Sequence, residues 1–201
     1  MCLAIDSVKN KESDIVLSAG NTGALFVIAK LNLKMIENID KPALAGLWPN
    51  KNGTNIVLDL GASIDCSEKN LVDFGIMGSA LLKALFHNED PKVAILNIGS
   101  EEIKGHEIIK NAYEILNSNK NSNFKFNGYI EGNEIMDGLS NVIITDGFTG
   151  NAALKTAEGT ANFITNELKK AMTGSLMAKF STILNINNLN KFKKRLDPRL
   201  Y

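Results

Sequence analysis

The chain has 201 residues, of which 44% are apolar, 22% charged and 6% aromatic, and its formal net charge is zero. That is enough apolar chain to bury the core of one domain or one and a half, and the balanced charge excludes a general electrostatic attraction to nucleic acid. Two cysteines, Cys2 and Cys66, exclude a disulfide framework or a cysteine zinc site; with no bilayer-length apolar run and no signal-peptide pattern, the expected location is the reducing cytoplasm.

In chain order, residues 1–9 read as an amphipathic helix with no cap ahead of it. Residues 14–19 are an apolar run expected to form a buried strand, and residues 21–36 a helix with Leu25, Ile28, Leu31 and Met35 on one face. Short apolar runs at 43–48 and 55–60 predict two strands, and the spacing over 69–86 predicts a long helix. A strand over 92–98, a loop over 99–105 and a helix over 106–117 follow. Then come a strand at 125–130, a short turn or helix at 131–138, a strand at 141–146 and a helix over 150–172. The repeated switch from apolar runs to a spacing of three and four implies βαβ units around a mostly parallel sheet.

Two turns share one wording, Gly20-Asn21-Thr22-Gly23 and Gly147-Phe148-Thr149-Gly150. Each follows an expected strand and opens a helical pattern. The first N–H groups of a helix are unpaired and carry partial positive charge, so such a junction is a natural seat for an anion. Glycine lets the backbone approach a phosphate closely. A pair of these turns points to a site at the carboxyl ends of parallel strands.

An ordered set of segments carries a family resemblance. They are Ser18-Ala-Gly-Asn-Thr-Gly-Ala24, Asp40-Lys-Pro-Ala-Leu44, Asp59-Leu-Gly-Ala62, Gly75-Ile-Met-Gly-Ser79, Asn97-Ile-Gly99 with Glu101-Glu-Ile-Lys-Gly105, Gly128-Tyr-Ile-Glu-Gly132, and Thr145-Asp-Gly-Phe-Thr-Gly-Asn151 with Leu154-Lys-Thr156 and Glu158-Gly159. In order and spacing the chain resembles the PlsX-type phosphate acyltransferases, which make acyl phosphate from acyl-acyl-carrier-protein and inorganic phosphate. One departure is Ser63, where the family carries Asn. The family's opening strand with its Met-Gly-Gly-Asp turn and its last strands lie outside these residues, so the resemblance implies the middle of the enzyme, truncated at both ends. It also implies a three-layer α/β/α sandwich of the isocitrate/isopropylmalate dehydrogenase-like group, over residues 1–172.

Phosphorolysis of a thioester asks little of side-chain acids and bases. Phosphate is already an anion near neutral pH, and a thiolate of pKa ~8.5 leaves readily. The site has to hold phosphate against the carbonyl and stabilise the oxyanion, a task that calls for neither a metal nor a cofactor. Lys104 and Asn151 are the catalytic candidates implied by the resemblance. By charge alone, Lys104 is equally a solvated lysine paired with Glu101 or Glu102. Gly20, Asn21, Thr22 and Gly23, with Gly147, Thr149 and Gly150, are candidate phosphate or acyl contacts, and Asn21 is equally a plain helix cap. Lys155, one turn beyond Asn151, joins them. Asp59 and Asp146 end strands and are placed at the substrate, either orienting lysines or bonding loop N–H groups.

Residues 169–201 hold eight cationic side chains against Asp197, a net +7, whereas residues 1–168 carry −7. Residues 173–201 are therefore set apart as an amphipathic basic segment, two short helices broken near residues 185–188. Leu176, Phe180, Leu184, Leu189 and Phe192 are the expected contacts with a membrane surface or a partner. The resemblance implies acyl carrier protein, inorganic phosphate and a second copy of the subunit as partners, with peripheral contact at the inner face of the membrane. A phosphotransacetylase-like enzyme acting on acyl-CoA, and an inactive fragment that only dimerises or binds membrane, are the alternative readings.

Overall fold

In a computed structural model of the chain, residues 1–118 and 123–196 are described; the turn expected at 197–201 lies outside them. A hairpin opens the sheet, with β1 (Gly46–Pro49) antiparallel to β2 (Thr54–Leu58). The helix α3 (Glu68–Leu85) leads from β2 to β3 (Lys92–Leu96), and α4 (Glu107–Ser118) leads on to β4 (Lys125–Ile130). After a 3-10 turn at Ile135–Asp137 the chain returns to β5 (Val142–Ile144), which inserts between β2 and β3. The order is β1-β2-β5-β3-β4, parallel apart from β1.

Alternation along the strands divides the core in two. Ile56, Leu58, Val93, Ile95, Val142 and Ile144 face α3 and α4, where Leu71, Phe74, Leu82, Ala112 and Leu116 are buried against them. Val57, Ala94 and Ile143 face the other way, toward Trp48, Leu60, Ile130 and α5 (Gly147–Thr173). The result is a three-layer α/β fold with a mostly parallel sheet, as expected. A capping box starts α3: Ser67 Oγ accepts from the Asn70 N–H and Asn70 Oδ1 accepts from the Ser67 N–H. Gly78 lets α3 settle on the sheet, since a Cβ there would stand 2.6 Å from Val142 and 2.8 Å from Leu58.

The expected strand at 14–19 does not form: those residues are irregular, with Ile15 and Leu17 exposed at 80% and 95%. An apolar run becomes a strand only where a neighbour completes its hydrogen-bond ladder, and no described strand pairs with it. The helices α1 (Cys2–Lys9) and α2 (Thr22–Asn32) pack on each other, and α2 buries no residue fully. At the other end α5 runs for 27 residues and is followed by α6 (Leu176–Leu184) and α7 (Ile186–Leu196), with the expected break between them.

Candidate active site at the carboxyl edge of the sheet

The helices after β2 and β3 lie on one face of the sheet, whereas α5, after β5, crosses to the other. Chains that leave neighbouring parallel strands toward opposite faces open a crevice at their carboxyl ends, where α/β proteins bind ligands. The loops there are 59–66 after β2, 97–105 after β3 and the Asp146 junction into α5.

Asp59 organises the first loop and is completely buried. Its Oδ1 accepts from the N–H groups of Leu44 (2.9 Å), Gly61 (3.1 Å) and Ala62 (2.9 Å), and its Oδ2 from Ser63 (2.7 Å). Of the two roles expected for it, orienting lysines or bonding loop N–H groups, these contacts are of the second kind. Ser63 acts through its backbone, receiving the Gly147 N–H at 2.9 Å on its carbonyl.

The α5 junction is also organised by a carboxylate. Asp146 is the N-cap; its Oδ1 accepts from the Thr149 N–H at 2.8 Å and its Oδ2 from the Thr149 hydroxyl at 2.7 Å. The anion nearest this helix start is therefore its own cap. Gly147 and Gly150 are buried against the Asp59 loop; a Cβ at Gly147 would stand 2.5 Å from the Ser63 carbonyl oxygen, and one at Gly150 would collide with the Asp59 backbone. Among the donors of this turn, the Phe148 N–H is left without a partner among the described residues. Asn151 is exposed beside Gly61, and Lys155 pairs with Glu158 at 2.8 Å.

At the first glycine turn Asn21 caps α2, its Oδ1 accepting from the Ala24 N–H at 2.9 Å. The N–H groups of Thr22 and Gly23 stay open on an exposed surface. Gly20 lies against Met1 and Ser18, whereas Gly147 and Gly150 lie against Asp59, Ser63 and Thr145. No hydrogen bond among the described residues joins the two turns.

Lys104 is folded back over Gly99 and pairs with Glu101 at 2.8 Å. The Glu101 carboxylate raises the lysine above its ordinary value, and the lysine holds the Glu101 carboxyl below the usual carboxylate range. The lowered carboxyl is favoured above the ordinary carboxylate value and the raised ammonium below the ordinary lysine value, so the pair persists across neutral pH. Asn97 is buried at the end of β3; its Nδ2 donates to the carbonyls of Gly99 and Lys104, each at 3.1 Å.

Four neighbours escaped the sequence reading. Lys41 Nζ donates to the Asp65 carbonyl at 2.6 Å, which brings a cation to the 59–66 loop. Its signal in the sequence is a lysine directly before Pro42. Asn97 and Thr145 share a subtler signal, a polar residue just beyond the end of a buried strand, whereas Ser63 lies five residues past β2. Burial pushes the Cys66 thiol up, and the nearby Asp59 and Asp146 carboxylates add to the rise against the opposing Gly147 N–H and Lys41. Among the described residues no group of three His, Cys, Asp or Glu side chains is placed to hold a metal ion.

The fold and these loops define an α/β protein with a polar, amide-rich carboxyl edge at a topological switch point. It belongs to the fatty acid synthesis protein family, whose sequence model matches residues 1–201. The chain is 70% identical over 201 residues to a phosphate acyltransferase of Pelagibacter ubique, covering all of this chain and 60% of that protein. It is 44% identical to one of Paramagnetospirillum magneticum, again over the full chain and 57% of the relative. It thus spans somewhat under two thirds of the relatives it matches. Two solved structures share the fold: a phosphotransacetylase from Streptococcus pyogenes (TM-score 0.63, 18% identity, 79% of this chain and 54% of that one) and the EutD phosphotransacetylase from Staphylococcus aureus (TM-score 0.59, 15% identity, 80% and 55%).

Proposed function

We propose that this chain supplies the phosphate-handling core of an acyltransferase that moves an acyl group from a carrier-protein thioester to inorganic phosphate, for phospholipid synthesis. What supports this reading is a set of donors on or beside the loops at the carboxyl edge of the sheet: the Phe148 N–H, the Asn151 amide, Lys41 and Lys104. Phosphate oxygen attacks the thioester carbonyl, the carbonyl oxygen becomes an oxyanion held by these donors, and the C–S bond breaks to release the carrier thiolate. Lys104 exchanges Glu101 for the incoming anion, and Asn151 lies one helical turn from the α5 start. The open amides of Thr22 and Gly23 at the start of α2 offer a further anion seat.

The exposed apolar side chains of the tail, Leu176, Phe180, Leu184 and Phe192, with half-buried Leu189 and the intervening lysines, serve a second subunit or the anionic face of a membrane. No helix of the described residues is long and apolar enough to cross a bilayer. The test is a chimera in which these 201 residues replace the matching segment of the Pelagibacter ubique relative. Lys104→Ala should lower kcat at least 100-fold with acyl-carrier-protein as donor. Wild-type turnover by Lys104→Ala, or a strong preference for acyl-CoA, would overturn the proposal.

A further inference from the structure

We infer that Asn97 is a positioning residue that sets where Lys104 stands, an inference that rests on the role given to Lys104 above. The loop between them folds back so that the two ends of the 99–104 stretch meet one side chain. Asn97 Nδ2 donates to the Gly99 carbonyl and to the Lys104 carbonyl, both at 3.1 Å. Both partners are acceptors, so only the amine end of the amide can face them; the side chain has one workable orientation. That orientation leaves Asn97 Oδ1 buried without a hydrogen-bond partner among the described residues. A buried, unpaired acceptor is unfavourable, and its persistence at a strand end marks a site where loop placement outweighs local satisfaction.

Gly105 completes the device. Its φ of +95° suits glycine, and a Cβ there would collide with Asn97 Oδ1. The residue after the lysine is therefore held against the same amide that holds the lysine's own carbonyl. The Lys104 backbone is clamped at the end of β3, next to β5 and the α5 junction. The side chain remains free to leave Glu101, since the clamp acts on the main chain alone.

Asn97→Asp keeps the shape, removes both donors and sets a carboxylate against two carbonyls. In the chimera, Asn97→Asp should reproduce the Lys104→Ala defect in kcat/KM for phosphate to within tenfold, with KM for the acyl donor unchanged. The double variant should be no worse than Lys104→Ala alone. Losses that multiply in the double variant would overturn the inference. A second readout does not depend on activity: limited trypsin digestion of the folded 201-residue chain at the Lys104–Gly105 bond. Asn97→Asp should speed that cleavage at least tenfold, and an unchanged rate would overturn the clamp. If Lys104→Ala proves fully active, the proposed function fails while the trypsin rates still decide the clamp. Gly105→Ala, which pushes on the same amide from the other side, gives both readouts should Asn97→Asp fail to fold.

Discussion

Replacing Asp59 with asparagine is the sharpest probe of the carboxyl-edge architecture. The carboxylate accepts four backbone N–H bonds at 2.7–3.1 Å from a completely buried position. Asparagine keeps the volume but offers one oxygen and one NH2 group, so one side of it must face donors. The better orientation keeps the three bonds to Leu44, Gly61 and Ala62 and turns the NH2 toward the Ser63 N–H. A lost bond to a charged acceptor costs about 1.5–3 kcal/mol, and the three that remain lose their charge assistance. A total of roughly 2–4 kcal/mol is expected, a large part of the stability of a single domain. With a urea dependence of about 2 kcal/mol/M, the midpoint should fall by about 1–2 M at unchanged slope. A change below about 0.5 kcal/mol would refute the view that Asp59 holds the loop.

Glycines in α5 should respond oppositely to alanine. Gly147→Ala meets the Ser63 backbone at 2.5 Å and should destabilise by about 2 kcal/mol or more, whereas Gly159→Ala points into open space and should stabilise by about 0.5–1 kcal/mol through helix propensity; thermal unfolding of both distinguishes them, and equal effects would contradict the described packing. Iodoacetamide at neutral pH should modify exposed Cys2 well before Cys66, whose buried thiol stays protonated. Equal labelling rates by peptide mapping would show that Cys66 is not buried as described.

The order of elements was legible because each helix and strand of the sheet domain has its own period. The break between α6 and α7 was visible for the same reason. The run at 14–19 misled because side-chain pattern records burial preference, not the presence of a hydrogen-bonding neighbour. At the carboxyl edge, sequence marked polar groups but not the backbone partners they take. Asp59 and Asp146 look alike on paper, each just past a strand with a glycine one or two residues on. One turns inward to gather loop amides, and the other turns onto its own helix start. That choice depends on which N–H groups the folded backbone brings within reach. Asn97 was passed over because its partners, Gly99 and Lys104, become neighbours only once the loop doubles back.

The length of α5 ties two distant parts of the molecule into one mechanical piece. Twenty-seven residues make a rod of about 40 Å, with its first turn wedged into the 59–63 loop and its last turn carrying the α6–α7 pair. Removing one residue from its outer half would rotate that pair by about 100° around the rod, and removing seven would bring it back nearly in phase, about 10 Å closer. The bearing of the basic tail relative to the crevice is thus written in the spacing of a single helix.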